Sequence, residues 1–166
     1  LVDLSENGLG KISPQVVRMK SLVCSVMALS FAVSMAGLAH GRNVELLVPI
    51  ADAMAATGVS DRPTGAVKFF FATQKAPEVL KNLGSALAAP RTGAAGRSDE
   101  RACHEAFLWT LVDLEKRAQR AGANAVVNIV SYYRKKERPS ASEFACHVGN
   151  VIVTVWLKGD LVKIVE

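Results

Sequence analysis

The dipeptide Cys-His occurs twice, at Cys103-His104 and at Cys146-His147. Two thiols and two imidazoles resemble the ligand set of a tetrahedral zinc site, and a cysteine beside a histidine is the raw material of a thiolate nucleophile. The spacing argues against both. Neighbours on a strand point to opposite faces, and neighbours on a helix diverge by about 100°. Neither dipeptide can easily turn both of its side chains onto one metal, and no orienting acid is evident for a triad. Of the three cysteines, Cys24 would leave with a signal peptide, and the even count that remains in an exported chain favours a bond between Cys103 and Cys146. Free thiols stay open as an outcome, and so does metal binding through His104 or His147 with nearby carboxylates. No residue is assigned to catalysis, no cofactor is expected, and the chain is read as a non-enzyme.

The elements that carry these residues are legible in part. Cys103 lies near the start of a helix predicted from Ser98 to Gly122. Ser98 is a suitable N-cap, and Asp99 and Glu100 place negative charge at the positive end of the dipole. Cys103, Phe107, Thr110, Leu111, Leu114, Ala118 and Ala121 form one apolar stripe at helical spacing. Gly122 is the stop, because it enters the left-handed region without a steric penalty. The period then changes to that of a strand. Ala125, Val127 and Ile129 face one way, Val126, Asn128 and Val130 the other, so an interior strand is expected.

Cys146 lies on a second predicted strand, Glu143 to Leu157. Phe144, Cys146 and Val148 alternate on one face. Val151, Val153, Val155 and Leu157 alternate on the opposite parity, and a β-bulge at Gly149-Asn150 would reconcile the two. Gly159-Asp160 is read as a tight turn into a closing strand, Leu161 to Val165. Upstream, Val44 to Val48 and Ala66 to Ala72 read as strands, and Ile50 to Ala56 as a brief helix. Val59 to Gly65 reads as a turn, and Pro77 to about Leu87 as a helix with proline at its first position. Ala88 to Arg97 reads as a small-residue loop. The expected fold is α+β: a mostly antiparallel sheet, one long helix packed on one face, and one or two short helices.

Between the two strands stands a basic run. Arg134, Lys135, Lys136 and Arg138 could contact phosphate, lipid headgroups or an acidic partner, and they equally suit the solvated loop of a hairpin, Arg134 to Ser142. Tyr132 and Tyr133 before it are the one aromatic platform beside the run and equally suit strand-end packing. No nucleotide-binding glycine loop is present, nor HExxH, GxSxG or CxxC. The 166-residue chain carries a formal net charge of +5, too mild to argue for nucleic acid as a partner.

Its hydrophobic content of 50% is high, and the excess is concentrated near the N-terminus. Met19-Lys20 opens a positive region, Leu22 to Ala36 is continuously apolar, and small residues follow at Gly37 and Ala39. That is the form of a secretory signal peptide over 19–39 and is too short for a typical membrane span. Residues 1–18 read as a disordered upstream extension, and 40–166 as a single domain. A periplasmic or secreted location follows, with no integral membrane span in the mature chain.

The block Arg117 to Tyr133 (RAQRAGANAVVNIVSYY), taken with the Leu157 to Ile164 segment LKGDLVKI, resembles the YbjQ-like and RcsF-like domain group. It is most similar to small exported proteobacterial proteins with a GANAVVNIVSYY block, which often carry the name excinuclease ATPase subunit. The resemblance covers roughly residues 44–166. It implies a helix, a Gly-Ala-Asn turn and a strand. For the YbjQ-like members it implies heavy-metal binding, and for the RcsF-like members a disulfide-bearing envelope sensor. The name excinuclease implies a nucleic-acid role that a chain without a nucleotide motif does not support. The expectation is an exported, disulfide-stabilised binding module of the cell envelope, its partner an unidentified envelope protein or component. The alternatives are a periplasmic metal-binding protein and, disfavoured, a nucleic-acid role.

Overall fold

The computed structural model describes residues 42–94 and 96–165. The expected extension over 1–18 and signal peptide over 19–39 lie outside the described residues. In chain order the elements are β1 (Asn43–Pro49), α1 (Ile50–Ala55), β2 (Lys68–Phe71), β3 (Val79–Ala88), β4 (Arg91–Gly93), α2 (Asp99–Ala121), β5 (Ala125–Ser131), a 3-10 turn (Tyr133–Lys135), β6 (Glu143–Gly149), β7 (Ile152–Val155) and β8 (Leu157–Ile164). The fold is α+β and mostly antiparallel, with one long helix. It has two four-stranded sheets where one was expected, in the orders β1-β6-β7-β4 and β2-β5-β8-β3. Among the described residues no helix is long and apolar enough to cross a membrane.

Helix α2 begins and ends where its sequence dictates. Ser98 accepts a hydrogen bond from the Arg101 amide at 3.3 Å. Gly122 adopts φ 73°, and its amide donates to the carbonyls of Ala118 and Gln119. Cys103, Phe107, Thr110, Leu111, Leu114 and Ala118 are buried as expected, whereas Ala121 is exposed in the last turn. The helix does not lie on one face of one sheet. It packs against strands of both, and one apolar core joins it to Phe144, Cys146, Val148, Val153 and Val155 of the first sheet and Val126, Ile129, Leu157 and Leu161 of the second. Thr110 fastens that contact, its hydroxyl donating to Ala106 O at 2.7 Å and lying 3.2 Å from Val155 O. Buried Glu115 holds the 59–65 turn, accepting from the amide and the hydroxyl of Thr64 at 2.8 and 2.9 Å.

The two sheets are joined by a bent ribbon. β3 runs on into β4 across Ala89-Pro90, and β7 into β8 across Trp156, so Ala88 faces Leu157 in one sheet and Arg91 faces Thr154 in the other. Four expectations are corrected by this ribbon. The predicted helix from Pro77 to Leu87 is strand β3, paired with β8 along its length. Gly84 at φ 106°, with its amide bonded to Asn82 Oδ1, is incompatible with a helix, and the edge hydrogen bonds of β8 outweigh a weak helical propensity. The predicted loop from Ala88 to Arg97 contains β4, which pairs with β7.

The predicted bulge at Gly149-Asn150 is a hairpin turn. Cys146 faces Val155 and Val148 faces Val153, so even-numbered residues of β6 share a face with odd-numbered residues of β7. The parity change in the sequence is real; a reversal of direction produces it as well as an inserted residue does. The predicted turn at Gly159-Asp160 is the middle of β8. Glycine is needed there for close approach: a Cβ on Gly159 would meet Val126 Cγ1 at 2.6 Å and Ile129 Cγ1 at 3.0 Å. Both of those side chains reach the core because β5 itself is irregular. Asn128 sits at φ 53° and donates to Asp160 Oδ2 at 2.9 Å, which breaks the expected alternation and turns Ile129 to the same side as Val126.

Candidate functional site

Strand β6 separates the members of its Cys-His dipeptide. Phe144, Cys146 and Val148 enter the core, and His147 stands on the opposite face, across from Glu45 of β1 and Thr154 of β7. On the inner face Cys103 and Cys146 form a disulfide, their Cα atoms 5.8 Å apart and both residues wholly buried. The bond ties the first turns of α2 to the sheet. Its sulfurs are neither nucleophiles nor thiolate ligands while it stands.

On the outer face, the segment after β5 folds across the sheet. The expected hairpin over Arg134 to Ser142 is instead a crossover, because β5 and β6 belong to different sheets. Ser131 and Arg138 exchange backbone hydrogen bonds at 3.2 and 2.8 Å, Tyr132 donates to Trp156 O, and Ser131 Oγ accepts from the Ala145 amide. These bonds clamp the base of the loop. The 3-10 turn at its tip holds two successive non-glycine residues at positive φ, Arg134 at 50° and Lys135 at 64°, a conformation that costs about 1–2 kcal/mol per residue.

The clamp lays the Tyr133 ring over His147, with centroids 3.5 Å apart, and brings Trp156 edge-on to Tyr133 at 5.9 Å. His147 is thereby 6% exposed, although it stands on the outer face. Neither its Nε2 nor the Trp156 Nε1 has a hydrogen-bond partner among the described residues. Burial lowers the His147 pKa from its usual value; the Glu45 carboxylate opposes that shift and the Arg134 guanidinium adds to it.

Beside the stacked rings lies an open cleft of about 450 Å³, lined by Arg134, Lys136, Arg138, Glu45, Glu137 and His147 among others. Arg138 is paired with Glu45 at 3.4 Å, and Lys158 with Glu137 at 2.8 Å. Arg134 lies 5.2 Å from the centre of the Tyr133 ring, a cation–π distance, and it and Lys136 form no ion pair among the described residues. The structure thus brings together four of the predicted residues: Arg134, Lys136, Arg138 and His147. Lys135 is exposed on the same loop but does not line the cleft. His104 is half-buried on α2, its Nε2 without a partner. Among the described residues no three of His, Cys, Asp and Glu gather as a metal-ligand group.

The sequence reading missed Glu45 and Glu137 as members of this cleft, and it left Tyr133 open between a platform for the basic run and strand-end packing. Glu45 carried a signal, since it falls on the outward parity of a strand that pairs with β6. Nothing local indicated that the loop would fold back over His147.

Comparison of the chain with protein-family models, with curated proteins and with solved structures finds no match.

Proposed function

We propose that this protein is an exported, non-enzymatic binding module of the cell envelope, stabilised by its disulfide and presenting the cleft beside Tyr133 and His147 to a ligand. The observation that carries the reading is the buried Cys103–Cys146 bond. Persistent structural disulfides belong to oxidising compartments, and reducing cytosol keeps such thiols free. The apolar tract from Leu22 to Ala36 and the resemblance to the YbjQ-like and RcsF-like group support the same location. The binding role draws on the cleft: small-molecule sites are concave, with a few converging polar groups beside apolar or aromatic walls, and this one has a charged rim around a stacked aromatic pair.

The test is intact mass and thiol titration of the native protein. A mature N-terminus near His40 and no reactive thiol before reduction are expected. A full-length cytosolic protein with two reactive thiols in the mature region would sink the proposal.

A further inference from the structure

We propose that the cleft between β1, β6 and the 132–138 loop binds the phosphate group of a small molecule or lipid headgroup, with Arg134 and Lys136 as its counter-charges and His147 as the polar wall. The inference rests on the binding-module reading and narrows it to one ligand chemistry.

Charge selects the ligand. Of the three cations lining the cleft, Arg138 is compensated by Glu45, and the lining carboxylate Glu137 is compensated by Lys158 from outside it. Arg134 and Lys136 are left without a carboxylate among the described residues. Two positive charges match a phosphomonoester, which carries about −1.5 to −2 at neutral pH, better than a single carboxylate. The cleft is open and its cations exposed, so a phosphate paired with them keeps part of its hydration and the desolvation cost stays small.

Geometry selects the place. The cleft volume falls in the range of about 300–1,000 Å³ typical of small-molecule sites. His147, nine-tenths buried and with an unpartnered ring nitrogen, forms part of its lining. Unsatisfied buried polar atoms are rare, and the residue that carries this one lines the same cleft as the unpaired cations. The backbone agrees: Arg134 is held at φ 50°, ψ 39°, a strained conformation that sets the direction in which its side chain leaves the loop.

The experiment is titration calorimetry of the oxidised protein with glycerol 3-phosphate, alongside co-sedimentation with vesicles of phosphatidylcholine with and without phosphatidic acid, whose headgroup is a phosphomonoester. Saturable binding is expected, weakened about tenfold or more in Arg134→Gln/Lys136→Gln and unchanged in Lys163→Gln, an exposed lysine of β8 outside the cleft. Near-UV dichroism confirms that each variant is folded. Binding of glycerol 3-phosphate alone assigns a soluble phosphate ester; binding of phosphatidic acid vesicles that the double variant loses assigns a headgroup; either supports the proposal. No saturable binding to any phosphate probe, equal loss in Lys163→Gln, or equally tight binding of acetate overturns it. The thiol count of the same sample keeps the two readings apart. Oxidised protein that binds no phosphate removes this site alone, whereas reduced native cysteines remove the envelope reading whatever the titration gives.

Discussion

The two faces of the β1-β6-β7-β4 sheet treat adjacent residues in opposite ways. On the inner face Cys146 is bonded to Cys103, and Phe144 stacks on Phe107 at 4.2 Å, with Phe71 also against Phe107 at 5.9 Å. Those side chains are sealed from water and have no polar atom to satisfy. On the outer face His147 is nearly as buried, yet it keeps an unpartnered nitrogen, a lowered pKa and a strained, charged loop above it. One residue of chain separates a face built for stability from a face that carries unmet polar demand. Strain and unsatisfied polar atoms cost stability. His104 and Trp109 of α2 also carry unpartnered ring nitrogens, but at His147 such a nitrogen coincides with a loop holding two successive residues at positive φ, and that coincidence is the ground for the proposed site.

The contrast predicts large effects inside and small ones outside. Phe107→Ala removes the central ring of the inner stack, and stability should fall by about 3–5 kcal/mol in urea unfolding. A loss below about 1 kcal/mol would mean that the helix and sheet are not packed through that ring. Replacing both Cys103 and Cys146 with alanine should cost about 3–4 kcal/mol, because the bond closes a loop with a separation of 43 residues that the unfolded chain would otherwise explore. Reduction of the wild-type protein should lower its thermal midpoint, and a midpoint indifferent to reductant would contradict the bond.

On the outer face, Arg134→Gly should leave the fold intact and raise stability by about 1 kcal/mol, since glycine relieves the left-handed strain that arginine bears. A clear loss instead would show that the Arg134 side chain holds the loop down on Tyr133. The smallest effect is that of pH. Burial lowers the His147 pKa, so the folded state prefers the neutral ring. Its stability contribution is complete above the unfolded value of about 6.5 and is lost as pH falls below that value toward the lowered folded pKa. Urea midpoints measured from pH 8 to pH 5 should decline at the acid end more steeply in wild type than in His147→Gln. Tyr133→Ala should uncover the ring and return its pKa toward the ordinary value, read from the imidazole proton resonances. Identical pH profiles in all three proteins would erase the distinction between the faces.

The central helix was legible because its determinants are local. Ser98, the apolar spacing and Gly122 act within a turn or two of themselves, so neighbours in sequence are the neighbours that matter. Strand pairing is another matter. Pro77 to Leu87 has helix-compatible residues, and only the exposed edge of β8 makes it a strand. The parity change between Val148 and Val151 was visible, but a bulge and a hairpin leave the same trace in one dimension. Gly159-Asp160 has the composition of a turn and serves as a close contact beneath Val126 and Ile129.

The sequence by itself determined the helix with both its ends and the separation of Cys146 from His147 onto opposite faces, and it favoured Cys103 and Cys146 as partners for one bond without excluding free thiols. These follow from periodicity and from the short list of chemistries two thiols have. Only the tertiary structure decided that there are two sheets joined by a bent ribbon, and that the basic loop crosses between them to cover His147 and form a cleft. Hydrogen-bonded strand edges and ring stacking join residues far apart in the chain, and no local pattern encodes which distant edge or ring a segment will meet.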